Sequence, residues 1–251
     1  MEQLAPDVSA LLQAPDIRTC RRVLCVQPHP DDNEIGMGGV IAALAAGGAE
    51  IHYLTVTDGR HGNLDPGASP AETAAIRRRE AVAAGRYLGA SEFHFLDHED
   101  GSLDDVPSLA REIAALIRRT RPGAVFCPDP WLPYESHWDH VITGRAAAAA
   151  IHMSGRSHLD DGNEPCPPPA IGFYFSARPN TVIDVSSCFD RKMEAVALHQ
   201  SQVDAATLGM YQLYFRMKAA ELAQGRGFAL GEGLKALSAL HTHCFVDAER
   251  I

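Results

Sequence analysis

The sequence predicts an α/β protein with a Rossmann-like, mostly parallel sheet flanked by helices and a small antiparallel addition towards the C-terminus. Three observations carry this prediction. Strand-like and helix-like segments alternate from residue 23 onward, the order that βαβ units and a parallel sheet require. Two dense polar clusters, 28–39 and 128–140, each follow an apolar run directly, and the end of a strand in an open α/β sheet is where such folds place ligands and chemistry. The chain has 251 residues and 46% hydrophobic content, enough for one well-buried core, so a single domain over 1–251 is expected.

The elements follow in order. Residues 23–27 read as a strand, 38–46 as an alanine-rich helix ended by Gly47-Gly48, and 51–57 as the next strand. A helix over 71–88 is closed by Gly89, and 92–96 is a short strand. A helix over 107–120 has proline at its start and Arg118, Arg119 and Arg121 at its end, suiting the negative end of the helix dipole. A fourth strand, 124–127, leads to an alanine-rich helix over 137–152. Residues 154–169 include four prolines and read as a surface loop. Two further strands, 171–175 and 181–185, are expected to be antiparallel, and 193–202 and 211–224 are helical. The last twenty residues carry no period that assigns them.

Charge and composition narrow the function. There are 22 Lys and Arg against 32 Asp and Glu, a formal charge of −10. No long basic patch suits nucleic acid, and the acidic balance disfavours an anionic membrane surface. The one basic run, Arg77-Arg78-Arg79, has the solvated face of a helix as its plain reading. No apolar stretch approaches the ~20 residues that span a bilayer, and residues 1–20 lack a signal-peptide pattern, so a cytoplasmic location is expected. Six scattered cysteines without a Cys-x-x-Cys pair read as reduced thiols, with Cys25 and Cys127 as small core residues.

The chemistry concentrates in the two clusters. Pro28-His29-Pro30-Asp31-Asp32-Asn33-Glu34 offers one imidazole and three carboxylates where a buried strand gives way to a helix. The prolines restrict the backbone on both sides of His29. Pro133-Tyr134-Glu135-Ser136-His137-Trp138-Asp139-His140 follows another strand, and a parallel sheet carries both clusters to one edge. Catalytic zinc takes three protein ligands from His and carboxylate and keeps one position open. His29, Asp32 and His140 supply such a set, which leaves Asp31 beside the metal as a general base for an activated water. His137 can then donate a hydrogen bond or a proton to the reacting carbonyl or its leaving group, with Asp139 holding it protonated by charge pairing. The arrangement suits hydrolysis of an amide or ester. Zinc is the default ion for two histidines and a carboxylate, one per chain, although iron and cobalt fit the same donors.

The string His-Pro-Asp-Asp-x-Glu-x-Gly-x-Gly-Gly at 29–39, with the later His-x-Asp-His at 137–140, resembles the zinc-dependent PIG-L/LmbE-type N-acetylglucosamine deacetylases. The longer string from Pro128 to His140, with Gln27 opening the first motif, is similar to the diacetylchitobiose deacetylase branch. The resemblance runs from about Arg22 to the helix carrying Lys192, His199 and Gln202. It implies the same ligand set, the same base at Asp31, the same oxyanion or leaving-amine role for His137, and Asp139 as the partner of His137. It further implies that Arg77 contacts the sugar, that Asp100 contacts substrate (in some members from a neighbouring subunit), and that a C-terminal histidine, His243 or His241, reaches the site. Trp138 stands where the family usually has proline. The implied substrate is a small N-acetylated amino sugar, N-acetylglucosamine or a chitooligosaccharide, and the implied assembly is a homo-oligomer, a trimer or hexamer.

Plainer readings stand beside these. Glu34 reads as a brace of the motif loop rather than a fourth ligand, and His199 as a core histidine on a helix. Asp58 either lines the crevice or turns the chain. Trp131 and Tyr134 form an aromatic wall for a sugar ring, or, for Trp131, part of the core. A deacylase of a biosynthetic N-acyl sugar intermediate and a catalytically idle sugar-binding protein are the alternatives to an N-acetyl sugar deacetylase.

Overall fold

The structure is a computed structural model that describes residues 13–62, 67–157, 159 and 161–251. Strand β1 (Arg22–Gln27) explains the architecture in miniature. Val23 and Cys25 enter one apolar cluster, while Leu24 and Val26 enter another on the opposite face. A strand buried on both sides belongs at the centre of a parallel sheet covered by helices. Around it lie β2 (Glu50–Thr57), β3 (Glu92–His98), β4 (Ala124–Pro128), β5 (Ala170–Tyr174), β6 (Thr181–Asp184) and β7 (Gly231–Leu237).

The strand order is β3-β2-β1-β4-β5-β7-β6. The first five in chain order run parallel, while β7 runs antiparallel to both β5 and β6. The mostly parallel sheet with an antiparallel C-terminal part is therefore present. The expected antiparallel relation of the 171–175 and 181–185 strands is not, because β7 lies between them and runs antiparallel to each. That strand falls largely within the stretch that the sequence pattern left unassigned. The chain leaves β1 towards β2 on one side and returns at β4 on the other, which makes the β1/β4 crevice the switch point where such sheets bind ligands.

One face of the sheet is covered by α1 (Asp32–Ala46), α2 (Pro70–Leu88), α5 (Phe189–Val196) and α6 (Ala205–Ala223). The other is covered by α3 (Val106–Thr120) and α4 (Trp138–Met153). Local signals set the helix ends. Ser69 and Glu72 form a capping box with Pro70 at the first turn of α2. Gly89 closes that helix at φ 107°, a conformation glycine adopts without steric cost.

Helix α1 starts six residues earlier than the expected 38–46, so the first polar cluster forms its opening turn. The helix breaks at Met37 (φ −151°, ψ 27°). The Val40 N–H donates to Glu232 Oε2 of β7 at 2.8 Å, and Lys192 balances that buried carboxylate. Arg118 lies in the last turn of α3 as expected, and there it is buried and donates to the carbonyls of Met153, Ser154 and Leu159 at 3.0–3.2 Å. It thereby fastens the proline-bearing loop. All six cysteines are free. No helix among the described residues is long and apolar enough to cross a membrane.

Candidate metal centre and catalytic pocket

The end of β1 and the start of α1 deliver His29, Asp31 and Asp32; the loop after β4 and the start of α4 deliver Glu135, His137, Asp139 and His140. The parallel sheet brings both clusters together as expected. His29 and His137 rings lie 4.5 Å apart, His29 and His140 5.3 Å, and His137 and His140 5.1 Å.

Asp32 sits between two imidazoles. Its Oδ2 is 3.3 Å from His29 Nδ1 and its Oδ1 is 3.4 Å from His140 Nε2. Two donors bound to one tetrahedral zinc at ~2.0–2.1 Å lie roughly 3.3–3.4 Å apart, so these separations fit a shared ion. Asp32 Oδ2 also accepts the His29 backbone N–H at 2.9 Å, which fixes the carboxylate.

His29 is turned by what faces its other nitrogen. Asp139 Oδ2 lies 3.2 Å from Nε2, and Asp100 Oδ1 is also 3.2 Å from it. A proton on Nε2 shared with these carboxylates leaves Nδ1 as the lone-pair donor towards Asp32, the outer-shell arrangement common for metal-binding histidines. Burial opposes charge on His29, but Asp100, Asp139 and Asp32 together outweigh it and hold its pKa well above the usual histidine value. Burial also opposes charge on Asp32, yet His140 and His29 reverse this and lower its pKa. The same carboxylates place negative charge where a cation would sit. His140 completes the pattern: its buried Nδ1 has no hydrogen-bond partner, with Glu135 Oε2 3.7 Å away.

His29, His137 and His140 can also each bring one ring nitrogen within 4.8 Å of the others. We favour Asp32 over His137 as the third donor, because the Asp32 carboxylate lies between the other two and is buried, whereas His137 is exposed. His29, Asp100 and Asp139 form a second close group. It is the pair of carboxylates on Nε2, already engaged in orienting the ring.

Asp31 stands apart from the donor set. Its Oδ2 meets Arg77 Nη2 at 3.1 Å, leaving Oδ1 without that partner. Burial, the largest influence, raises its pKa, and Asp32 adds to this against the opposing charges of Arg77, His199 and His29. Arg77 is itself buried and donates to the Gly59 carbonyl at 2.9 Å. It approaches closely because Gly59 has no side chain: a Cβ there would lie 2.8 Å from the Arg77 guanidinium carbon and 2.9 Å from Pro30. The solvated-face reading holds for Arg78, which is half exposed, and not for Arg77.

The structure corrects three site expectations. Asp139 directs its hydrogen bonds away from His137, although its charge still favours protonated His137. Its buried carboxylate accepts the Gly101 N–H at 2.7 Å and faces His29. Burial and the nearby His29 and His140 hold His137 below the usual histidine pKa, against the opposing charges of Asp139 and Asp100. Asp100 lies at the pocket of its own chain. The turn after β3 places it against His29 of its own chain, where its Oδ2 also accepts the His61 N–H at 3.1 Å. Neither C-terminal histidine reaches this pocket within the chain. His243 packs on His152 at 5.9 Å, near the end of α4, and that end is roughly 18 Å along the helix from His140. His241 is buried against Ser238, whose N–H its Nδ1 accepts at 3.1 Å.

The remaining candidates are placed as follows. Trp131 packs edge-on to Phe173 at 5.5 Å. It lines a groove of about 430 Å³ with Lys235 and His241, and the lining does not include His29, Asp31 or His140. Tyr134 is fully exposed at φ 70°. Asp58 takes the turn reading, paired with Arg60 at 2.6 Å.

Sequence reasoning passed over Glu135 and the segment after α5. His199 lies beyond the end of α5 rather than on the expected helix. Its Nε2 meets Glu34 Oε2 at 3.2 Å, both residues being fully buried, which supports the reading of Glu34 as a brace. Ser201 Oγ donates to Glu80 of α2 at 2.6 Å, and Gln202 donates to the Gly62 carbonyl. The string His199-Gln200-Ser201-Gln202 therefore ties together three segments that build the pocket. Its run of hydrogen-bonding side chains was the available signal.

Comparison with known proteins gives the family and the fold. Residues 24–151 match the PIG-L family model, described as GlcNAc-PI de-N-acetylase. Diacetylchitobiose deacetylase of Thermococcus kodakarensis is 36% identical over 228 residues, covering 89% of this chain and 85% of that protein. The 1D-myo-inositol 2-acetamido-2-deoxy-α-D-glucopyranoside deacetylase of Rhodococcus jostii is 30% identical, covering 75% and 84%. The solved structure of N,N'-diacetylchitobiose deacetylase from Pyrococcus horikoshii with its inhibitor superposes with a TM-score of 0.88 at 32% identity, over 98% of this chain and 99% of that one.

Proposed function

This chain belongs to the PIG-L de-N-acetylase family, and from that premise we propose that it is a zinc-dependent hydrolase that removes the acetyl group from an N-acetylated amino sugar. The observation that carries the reading is Asp31, a carboxylate that adjoins the three-donor set without belonging to it. A protein that only bound sugar would have no use for a spare base there, which disfavours an idle binding protein.

His29, Asp32 and His140 would hold the ion, one per chain. When bound, it supplies Lewis-acid activation of water and of the amide carbonyl. Asp31 accepts the proton of the attacking water on Oδ1, while Arg77 holds Oδ2 in place. His137, exposed at the mouth, donates its ring proton to the departing amine and a hydrogen bond to the developing oxyanion. Asp139 keeps His29 oriented, and Asp100 sits beside it where it can reach a sugar hydroxyl.

The pH dependence follows from these roles. Activity requires Asp31 ionised, so it rises as pH increases through a pKa that burial has raised. It also requires His137 protonated, so it falls as pH passes a pKa that burial and neighbouring histidines have lowered. The two limbs are thus drawn together into a narrow bell in kcat/KM. His137→Ala should lower kcat by roughly 10²–10³ and abolish the basic limb. A basic limb unchanged in that variant assigns it to another group.

The substrate is tested by assaying acetate release from N-acetylglucosamine, its β-1,4-linked dimer, and N-acyl sugar intermediates of thiol or antibiotic biosynthesis. We expect the highest kcat/KM for N-acetylglucosamine or its dimer. A clear preference for a biosynthetic intermediate would favour the alternative deacylase reading, since pocket shape rather than the metal core sets such choices.

A further inference from the structure

The groove of about 430 Å³ that Trp131 lines runs between β5 and β7, and its size falls within the roughly 300–1,000 Å³ of small-molecule sites. Phe173, Leu237 and Phe245 give it an apolar floor. Trp131 is held edge-on to Phe173, so the plane of its indole is fixed, yet the residue stays 55% exposed. The groove also adjoins the chemistry. Pro133 lines it, and Glu135 follows two residues later, at most ~7 Å along the chain. Glu135 Oε2 in turn lies 3.7 Å from His140 Nδ1.

The polar lining is balanced in charge, with Arg178 and Lys235 set against Asp129 and Glu249. Arg178 pairs with Glu249. Lys235 is buried and donates to the carbonyls of Glu249, at 3.1 Å, and Ile251. Burial lowers its pKa, with Asp129 opposing the shift and Arg178 adding to it, so both charges lie near the ammonium. Asp129 Oδ1 accepts the Trp131 backbone N–H at 2.9 Å. His241 accepts the Ser238 N–H on Nδ1, which leaves the ring proton on Nε2 as a donor. These features select the chemistry of a ligand. An anion would upset the balance and meet Asp129 and Glu249. A purely apolar molecule would take water from Lys235, Asp129 and His241 and give them no hydrogen bond in return. A neutral pyranose satisfies both demands. Its apolar C–H face packs on an indole, while its hydroxyls donate to carboxylates and accept from Lys, Arg and His.

We propose that the groove between Trp131 and Lys235 is a second sugar site, which takes a neutral pyranose other than the one being deacetylated. The choice of a sugar rests on the deacetylase reading. The occupant is the far end of an oligosaccharide held in the metal pocket, or a separate sugar molecule. The chain has two tryptophans, Trp131 and Trp138, so Trp138→Phe leaves Trp131 as the sole indole emitter. The test titrates that protein, carrying Asp31→Asn to suppress turnover, with N-acetylglucosamine and with its β-1,4-linked tetramer. Far-UV circular dichroism confirms folding. A saturable shift in emission is expected: with both sugars if the groove takes a separate molecule, with the tetramer alone if it takes the far end of a chain. Adding Lys235→Met or Arg178→Gln should weaken the sugar's apparent affinity about tenfold or more, the loss of a hydrogen bond from a charged donor. No saturable shift with either sugar overturns the proposal, as does a shift that both variants leave unchanged. A saturable shift with sodium benzoate and none with sugar would mark an anion site and overturns it too. Acetate release by the wild-type enzyme is assayed alongside. A shift in a protein that releases no acetate refutes the deacetylase reading and keeps the sugar site, whereas acetate release without a shift overturns the sugar site alone.

Discussion

Asp31→Asn protein should keep its full complement of metal yet turn over roughly 10²–10⁴ times more slowly, the range for loss of a positioned proton acceptor. The reason is the division of labour between neighbouring carboxylates. Asp32 lies between His29 Nδ1 and His140 Nε2, whereas Asp31 turns away to Arg77. Asparagine preserves the volume and can still accept from Arg77, so the pocket should hold its shape. What disappears is the oxygen that takes the water's proton. The measurement is kcat beside metal content on the same preparation. Metal loss comparable to that of Asp32→Ala would mean that the two aspartates exchange roles.

The complementary expectation is that His29→Ala, Asp32→Ala and His140→Ala each lose metal and activity together. Asp32→Ala should be the most damaging of the three. It removes the carboxylate between the two imidazoles and also the acceptor of the His29 N–H. Asp139→Asn should act more mildly, because it leaves every donor in place and alters only the carboxylate that faces His29 Nε2 and accepts the Gly101 N–H. Loss of such an outer-shell partner typically costs 10–100-fold in metal affinity or activity. Elemental analysis after gel filtration reads all four. A full equivalent of tightly held metal in Asp32→Ala would refute the donor assignment.

Much of this was legible in the sequence because the informative residues are local. His29, Asp31 and Asp32 lie within four positions, and His137, Asp139 and His140 within another four. Hydrophobic runs before each cluster place both at strand ends. Strand β7 was not legible: Gly231–Leu237 contains five residues with little strand preference, Gly231, Glu232, Gly233, Lys235 and Ala236. Only its tertiary position between β5 and β6 makes it a strand. The opening turn of α1 was hidden because its break at Met37 interrupts the helical period.

The partner of Asp139 could not be read from spacing either. Adjacent charged residues on a helix start suggest a local pair, but successive helical positions point in different directions. The structure gives Asp139 to His29, 110 positions away in sequence. The position of Asp100 within its own chain was hidden for the same reason. Its turn lies beyond β3, yet β3 pairs with β2 only two strands from β4, and the turn folds back over the crevice to bring Asp100 within 3.2 Å of His29.

The metal-dependent deacetylation is tested most directly by stripping the protein with a chelator and titrating zinc back while acetate release from N-acetylglucosamine or its dimer is followed. The stripped protein should be inactive, and the rate should climb in proportion to added zinc and level off at one ion per chain. Full activity in the stripped protein, or no acetate from either sugar with the site filled, would contradict the assignment.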